Sequence, residues 1–190
     1  MSIEKLVLAN RSYRTFDEGR PITEDIMKGL IDLARRTPSA MNRQPLRYRI
    51  LSAQKDLDKM RTNARFAPSL GLGLPREGHR PTGYIIIFTD KEANSPMSLA
   101  LKDVGIAAQT ILLAAAEQGF GGCMLGSFDP NRLKDDFGID ARYEPQLVIA
   151  LGTPDEKVVL HDTDEESHSY YRDADNTHHV PKRSLDKVLI

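Results

Sequence analysis

DVGIAAQTILLAAAEQGFGGCML, residues 103–125, is the segment from which the architecture can be worked out. Residues 103–118 are apolar on nearly every face of a helix, which predicts packing on more sides than one small sheet supplies. A helix of this kind suits a dimer interface. Gln109 and Thr110 interrupt its apolar run, whereas a membrane span needs about 20 apolar residues, so we interpret it as a buried helix. The glycines that follow, Gly119, Gly121 and Gly122, are expected to end the helix before a short strand at 123–125.

Further helices and strands are predicted on both sides of this segment. Ser2 and Thr23 are candidate N-caps of helices over 2–10 and 23–36, and the second helix is expected to stop before Pro38. Two more helices are predicted over 55–64 and after the cap Asp129, and strands over 47–52, 84–89 and 146–151. Helices and four or five strands thus occur without regular alternation, which predicts an α+β fold.

The composition is that of an ordinary globular protein with one domain, residues 1–190. The hydrophobic fraction is 40% and the formal net charge is -1, so no basic field favours nucleic acid or an acidic membrane as a partner. Cys123 is the single cysteine, and residues 1–14 lack the basic start and long apolar core of a secretory signal. We therefore expect a cytoplasmic location.

A long loop is predicted over residues 66–83, where glycine and proline are too dense for a helix or a strand. Long loops within compact domains tend to be lids or binding loops, and an exposed surface excursion explains the same composition equally well. The glycines and prolines concerned are Pro68, Gly71, Gly73, Pro75, Gly78, Pro81 and Gly83.

Basic side chains stand near both ends of the chain, Arg11 and Arg14 at one end and Lys182 and Arg183 at the other. Arginine offers a planar fork and lysine a point charge, so the two clusters would clamp a phosphate monoester if the ends meet. The hydroxyl of Ser12 would add a further polar contact. The alternative is that these are solvated surface charges, which is the rule for lysine and arginine.

The segment PSAMNRQP, residues 38–45, concentrates hydroxyl and amide groups between two prolines. Amide side chains both donate and accept hydrogen bonds, which matches the alternating carbonyl and N–H edge of a flavin pyrimidine ring. A turn whose Asn and Ser side chains bond only their own backbone is the alternative.

Two other kinds of site are disfavoured by residue order. A dinucleotide-binding motif needs G-x-G-x-x-G between a strand and a helix, but the glycines at 119–122 follow a helix and precede a strand. The five histidines show no spacing typical of metal ligands, so no metal site is expected. Cys123, in an apolar strand, is interpreted as a small buried thiol rather than a nucleophile.

Four motifs together resemble the nitroreductase family in order and spacing, over nearly the whole chain. They are Arg11-Ser12-x-Arg14-x-Phe16, Pro38-Ser39-x-x-Asn42-x-Gln44-Pro45, Gly121-Gly122-Cys123-Met124-Leu125-Gly126 and Val180-Pro181-Lys182-Arg183-Ser184-Leu185. The resemblance implies a nitroreductase-like fold with a central, mostly antiparallel sheet flanked by helices. It also implies an intertwined homodimer with two FMN sites, each built from both chains.

The resemblance also assigns roles to individual residues. The extension 155–190 would contribute to the phosphate site of FMN, and Arg14 would stabilise the negative charge that gathers at the pyrimidine edge on reduction. Leu125 and Gly126 would lie beside the ring near N5. The phosphate and ribityl contacts would come from Arg11, Ser12, Lys182 and Arg183, and the other subunit would supply Pro38, Ser39, Ala40, Asn42 and Gln44.

The implied activity is ping-pong hydride transfer from NADH or NADPH through FMN to a small organic acceptor such as a nitroaromatic or a quinone. FMN carries the redox chemistry, so no catalytic acid or base is expected among the side chains. The alternatives are a non-catalytic flavin-binding or redox-sensing module, and a flavin reductase for an enone or a halogenated aromatic. The acceptor stays open because no acidic residue occurs in 125–128, Leu46 replaces a common Trp, and the chain is short for the family.

Overall fold

The structure, a computed structural model, describes residues 1–66 and 73–190. By contacts the chain divides into two compact units, Met1–Pro154 and Asp155–Ile190. Within the described residues, the first unit contains α1 (Ile3–Ala9), β1 (Phe16–Asp17), α2 (Glu24–Ala34), β2 (Leu46–Leu51), α3 (Gln54–Asn63), β3 (Gly83–Asp90), α4 (Met97–Glu117), β4 (Gly121–Leu125), α5 (Pro130–Phe137) and β5 (Tyr143–Pro154). The second unit contains β6 (Val158–Thr163), β7 (Tyr171–Arg172) and β8 (His178–Arg183).

The five strands of the first unit form one antiparallel sheet, in the order β1-β5-β3-β2, with β4 also paired to β5. The α+β class and the antiparallel sheet predicted from the sequence are therefore confirmed. β3 is buried over its full length, because helices cover both faces of the sheet. Ile85 and Ile87 face α2 and α4, whereas Ile86 and Phe88, which alternate with them, face α3 and α5.

Local signals placed several helix ends correctly. The hydroxyl of Ser2 accepts a hydrogen bond from Lys5 N at 3.3 Å, and that of Thr23 accepts one from Ile26 N at 3.3 Å. Asp129 caps α5, whose first residue is Pro130, by accepting from the backbone N–H groups of Asn131 and Arg132. These caps satisfy N–H groups that have no partner inside a helix.

Other boundaries differ from the predictions. α4 begins at Met97, six residues before the predicted start, and only Gly119 ends it, with a φ of 80°. Gly121 and Gly122 do not terminate the helix; they are the first residues of β4. β5 is twelve residues long, and the strand predicted over 146–151 covers only its apolar middle part.

The second unit is a three-stranded sheet, with β8 parallel to β6 and antiparallel to β7. No strand is predicted after residue 151, so the predicted number of four or five strands is wrong; the described residues form eight. These strands were missed because they are short and polar. This unit contains a buried ion pair between Arg172 and Glu156.

The long helix α4 has a buried face and an exposed apolar face. Eight of its residues are buried, as the core prediction required, whereas Met97, Leu101 and Ile106 are 48%, 49% and 41% exposed. By length and composition alone, α4 is apolar enough to cross a membrane, with a mean hydropathy of 1.5. The core helix of a folded domain passes the same test, and α4 packs against α2 and the sheet.

Candidate functional site

The Arg11–Arg14 segment is attached to strand β4. Ser12 forms a parallel bridge with Gly122, and the Tyr13 N–H donates to Gly122 O at 3.0 Å. Because the bridge is parallel, the chain from Ser12 to Arg14 runs in the same direction as the chain from Gly122 to Met124. The structure therefore brings the first and third motifs together.

The two glycines of β4 leave room for different neighbours, Gly121 for the Tyr13 ring and Gly122 for strand β5. A Cβ on Gly121 would lie 2.5 Å from the Tyr13 ring, and one on Gly122 would lie 2.3 Å from the carbonyl oxygen of Ala150. Only glycine fits at such a close approach of two backbones. The Gly-Gly pair thus has a structural role on its own strand.

Arg11 is partly buried without an anionic partner in the described part of the chain. One guanidinium nitrogen donates to the Val7 carbonyl, while Nε is buried and has no hydrogen-bond partner among the described residues. Burial lowers the pKa of Arg11, an effect that the hydroxyl of Tyr13 opposes. A buried donor on a desolvated cation is the chemistry that an anionic ligand satisfies.

Ser12 and Arg14 differ in exposure although they are two residues apart. Ser12 is exposed, whereas Arg14 is 8% exposed and donates from Nη1 to the Ser12 carbonyl at 3.0 Å. The arginine side chain is therefore held in one position beside the Ser12 backbone. A cation fixed in this way is suited to act on charge developing nearby, the role that the family resemblance implies for Arg14.

Segment 38–45 has an unusual backbone. Met41, Asn42 and Gln44 have φ values of 54°, 52° and 49° around a short 3₁₀ turn over Ala40–Asn42. Positive φ is uncommon for residues other than glycine and concentrates at ligand-binding sites. The prolines that bracket the segment indicated stiffness, but not this left-handed geometry.

The amide side chains of this segment bond to each other and keep free groups as well. Gln44 Nε2 donates to the Asn42 Oδ1 at 3.1 Å and to the Asn42 carbonyl at 3.4 Å. Among the residues that the structure describes, the Asn42 NH₂ group and the Gln44 Oε1 form no hydrogen bond. One amide donor and one amide acceptor are left, and their predicted contact with a pyrimidine edge stays a prediction. The alternative, in which Asn and Ser bond only their own backbone, does not describe this segment.

Ser39 is engaged with a residue that the sequence analysis did not single out. Its Oγ donates to the Asp103 Oδ2 at 2.6 Å and accepts from Gln44 N at 3.0 Å. The second carboxylate oxygen of Asp103 accepts from Ala40 N at 3.2 Å. The signal for Asp103 was available, because it is one carboxylate within the apolar run of α4.

Tyr48, on β2, lines a cavity of about 50 Å³ together with Ser39 and Asp103. Burial, and to a lesser extent the charge of Asp103, raises the pKa of Tyr48 to about 12. Gln44 also lines this cavity, whereas Met41 and Asn42 do not, and all three residues are exposed.

Within one chain, segment 38–45 and the Ser12–Gly122 bridge lie at different parts of α4. Asp103 holds the first, and Leu112 packs where a Cβ on Gly122 would lie. Nine helical residues separate them, a rise of about 14 Å. The structure of one chain does not merge the two motifs into one cluster, so their predicted meeting across a dimer stays a prediction.

Leu125 and Gly126 lie at the end of β4. Leu125 is 3% exposed, whereas Gly126 is exposed and no atom lies within 4 Å of a Cβ built on it. Gly126 thus offers open backbone, as a contact with a planar ring would need. The next residues are tied to the start of the predicted 66–83 loop, since Ala64 bridges Phe128 and Arg65 N donates to Ser127 O at 3.0 Å.

The other end of that loop contacts the chain two residues after Arg14. Phe16 N donates to His79 O at 3.1 Å, and residues 73–82 contain neither helix nor strand, as predicted. Residues 67–72, including Pro68 and Gly71, lie outside the described residues. Both described ends of the loop therefore stand next to predicted site segments, and its role as a lid stays a prediction.

Lys182 and Arg183 are the last two residues of β8 and are both exposed. Neither forms an ion pair with a side chain in 1–66 or 73–190. Adjacent residues in a strand point to opposite faces, so the two cations diverge rather than form a pair. Both belong to the second unit, and their meeting with Arg11 at one phosphate stays a prediction.

Groups of three or more potential metal ligands do not occur within the residues that the structure describes. Cys123 is buried in β4, as its apolar neighbours predicted.

These features define an α+β protein with an antiparallel sheet, a partly buried Arg11, a buried Arg14 and exposed amide side chains at Asn42 and Gln44. The chain belongs to the nitroreductase family, whose family model matches residues 7–79 and 72–153. Residues 155–190, the second unit, lie outside both matched ranges.

Individual relatives agree with this membership. A protein of Archaeoglobus fulgidus, provisionally named NADH dehydrogenase/NAD(P)H nitroreductase, is 27% identical over 85% of this chain and 90% of its own. A nitroreductase family protein from Streptococcus pneumoniae TIGR4 covers 100% of this chain and 99% of its own at a TM-score of 0.72 and 17% identity. A provisionally named nitroreductase from Exiguobacterium sibiricum, solved in complex with FMN, has a TM-score of 0.68 and 19% identity, covering 81% of this chain and 89% of its own.

Proposed function

We propose that this protein is an FMN-dependent oxidoreductase that passes hydride from NADH or NADPH to an organic acceptor such as a nitroaromatic or a quinone. The observation that carries the proposal is the bridge between Ser12 and Gly122, which joins two nitroreductase motifs at one strand. Family membership and the FMN complex of the Exiguobacterium relative support the same cofactor.

The groups of this chain fit FMN by their chemistry. The buried Nε of Arg11, without a partner among the described residues, suits a phosphate oxygen, and the exposed hydroxyl of Ser12 suits a ribityl or phosphate oxygen. Lys182 and Arg183, without ion pairs in the described ranges, would complete the phosphate site. The ring would contact Pro38, Ser39, Ala40, Asn42 and Gln44 of one chain, and Arg14, Leu125 and Gly126 of the other.

FMN, when bound, supplies the hydride-accepting and hydride-donating chemistry. The protein's contribution is position and electrostatics. Arg14, held against the Ser12 carbonyl, presents a fixed positive charge, and the free amide donor and acceptor of Asn42 and Gln44 orient the ring. In this proposal no side chain of the described site is needed as a general acid or base.

We also propose that the protein acts as a homodimer in which each site uses both chains. Exposed apolar side chains lie on neighbouring faces of α1 and α4, which contact each other. Gly105 is on the same helix, and no atom lies within 4 Å of the position that a Cβ on it would take. An exposed apolar surface of this kind is typical of a protein interface. The side chains concerned are Ile3, Val7, Leu8, Met97, Leu101 and Ile106.

The dimer is tested by placing a charge on this surface. Leu101→Asp should convert the protein to monomers in size-exclusion chromatography with light scattering, and should reduce FMN binding because each site would lose its second chain. Gln54→Asp, on α3 and away from α1 and α4, is the control and should stay dimeric. A monomeric Leu101→Asp variant with full FMN binding would contradict the shared site, and a dimeric one would contradict the assignment of this surface to the interface.

Turnover separates an enzyme from a flavin-binding module. The purified protein with FMN should oxidise NADPH or NADH continuously in the presence of menadione or a nitroaromatic, with parallel double-reciprocal plots. Arg14→Ala should slow the reduction of FMN by NADPH by about 10-fold or more, the scale of lost electrostatic stabilisation. Bleaching by NADPH without catalytic reoxidation would favour the module instead.

A further inference from the structure

Asp103 is a buried carboxylate that the proposed chemistry does not use directly. It is 4% exposed, and all the other buried residues of α4 are apolar. A buried carboxylate is costly unless its oxygens accept hydrogen bonds. Here both oxygens do so, and both donors, the Ser39 hydroxyl and the Ala40 N–H, belong to segment 38–45.

The bonds to Asp103 extend through Ser39 across the left-handed part of the segment. A hydroxyl has one donor hydrogen and two lone pairs. Ser39 gives its hydrogen to Asp103 and accepts from the Gln44 N–H, so the chain closes into a loop from residue 39 to residue 44. The three residues with positive φ, Met41, Asn42 and Gln44, all fall within this closed stretch.

A strained backbone persists only where the surroundings hold it. Within the described residues, the hydrogen bonds that tie segment 39–44 to α4 are those of Asp103, while Arg43 bonds the Asn94 carbonyl just before the helix. Asn42 and Gln44, which carry the free amide groups, make no bond to α4. Besides the bond of Arg43 to Asn94 and the bond from Arg47 Nη1 to the Gln44 carbonyl at 3.1 Å, their positions depend on the attachment at Ser39 and Ala40.

We propose that Asp103 is a positioning residue, which holds Ser39–Gln44 in the conformation that presents the Asn42 and Gln44 amides to the flavin. The inference rests on the proposed FMN site. It also changes the role of Ser39, whose only donor hydrogen is given to Asp103. Ser39 acts on the cofactor through the shape of the segment rather than through a donated side-chain hydrogen bond.

The test combines one measurement that needs FMN with one that does not. Asp103→Asn keeps the size of the side chain but replaces one acceptor oxygen with a donor NH₂, so it cannot accept from both Ser39 and Ala40. In the protein without FMN, backbone hydrogen exchange of a peptide covering 39–46 should become about 10-fold faster, while the peptides of β3 and β5 stay protected. Lys102→Gln, the exposed neighbour on α4, should leave all of these rates unchanged.

The second measurement is FMN affinity by fluorescence titration. Asp103→Asn should weaken binding by about 10-fold, the scale of coupling between residues in one network. Ser39→Ala removes the same link from the other side and serves if Asp103→Asn does not fold. The double variant should bind FMN no more than about 2-fold more weakly than the single variant with the lower FMN affinity, because both changes break one connection.

The outcomes separate the two proposals. Faster exchange at 39–46 in a protein that never binds FMN would overturn the proposed function and leave the positioning role standing. Wild-type FMN affinity and unchanged exchange at 39–46 in both single variants would overturn the positioning role alone. Additive losses in the double variant would also overturn it, since independent contributions are inconsistent with action through one connection.

Discussion

Replacing Gly122 with alanine tests the packing of the strand that carries the Arg11–Arg14 segment. The new Cβ would lie 2.3 Å from the Ala150 carbonyl oxygen and 2.8 Å from Leu112 Cδ2, whereas ordinary contacts begin near 3.4 Å. The oxygen belongs to the backbone of β5 and cannot rotate away. β4 and β5 would have to separate by about 1 Å, which strains the ladder between them.

The expected loss of stability follows from this overlap. Overpacking of a core position costs about 1–3 kcal/mol, and we expect about 3 kcal/mol here because backbone is obstructed. For a chain of this length that corresponds to a melting temperature about 6–12 °C lower. Urea unfolding followed by circular dichroism measures the free energy of unfolding directly.

Gly29→Ala is the matched control. Gly29 lies inside α2, and no atom lies within 4 Å of a Cβ built on it. Alanine in an exposed helix interior stabilises by about 0.5–1 kcal/mol, so this variant should unfold at slightly higher urea concentration. A Gly122→Ala protein within about 0.5 kcal/mol of wild type, the size of an ordinary surface effect, would refute the described packing of β4 against β5.

Three further predictions concern the phosphate site, acid stability and a helix cap. Arg183→Ala should lose FMN on dialysis, because the phosphate would lose a charged donor, whereas Lys187→Ala on the same terminal segment should retain it; equal retention would contradict the phosphate assignment. A hydrogen bond from Arg142 is the main cause that lowers the pKa of Asp90 from 3.8 to about 2. The stabilisation by this carboxylate is therefore complete above pH 4 and is lost as the pH falls from 4 toward 2. The urea midpoint of the wild type should therefore fall over that range more steeply than that of Asp90→Asn, and parallel profiles would contradict the ion pair. Thr23→Ala should lower the free energy of unfolding by about 1 kcal/mol through loss of the α2 cap, while Thr23→Ser should retain most of it; equal losses in the two variants would show that the cap hydroxyl is not the cause.

The parts of the fold that were predictable have strong local signals. The caps Thr23 and Asp129 act on neighbouring backbone groups, so their effect is readable from adjacent residues. β3 contains a run of isoleucines, which is typical of a buried strand, so this strand was predictable from its own residues. The small sheet of β6, β7 and β8 was missed because its strands are short and rich in polar residues, without the apolar run that marks β3.

The candidate site likewise has features that the sequence predicts and features that it does not. The motif residues were found because their types and order match a family, but their attachment depends on contacts between distant parts of the chain. The bond from Ser39 to Asp103 joins residues 64 positions apart, and the bridge from Ser12 to Gly122 spans most of the first unit. The left-handed conformation of Asn42 and Gln44 is likewise imposed by these contacts, since neither residue requires a positive φ.

The central claim, that two copies of this chain enclose FMN, is tested most directly by titrating the FMN-free protein with FMN and measuring the stoichiometry together with the mass of the complex. The account predicts saturable quenching of flavin fluorescence at one FMN per chain, in a particle of twice the chain mass. A monomer whose addition leaves the fluorescence of FMN unchanged would contradict it.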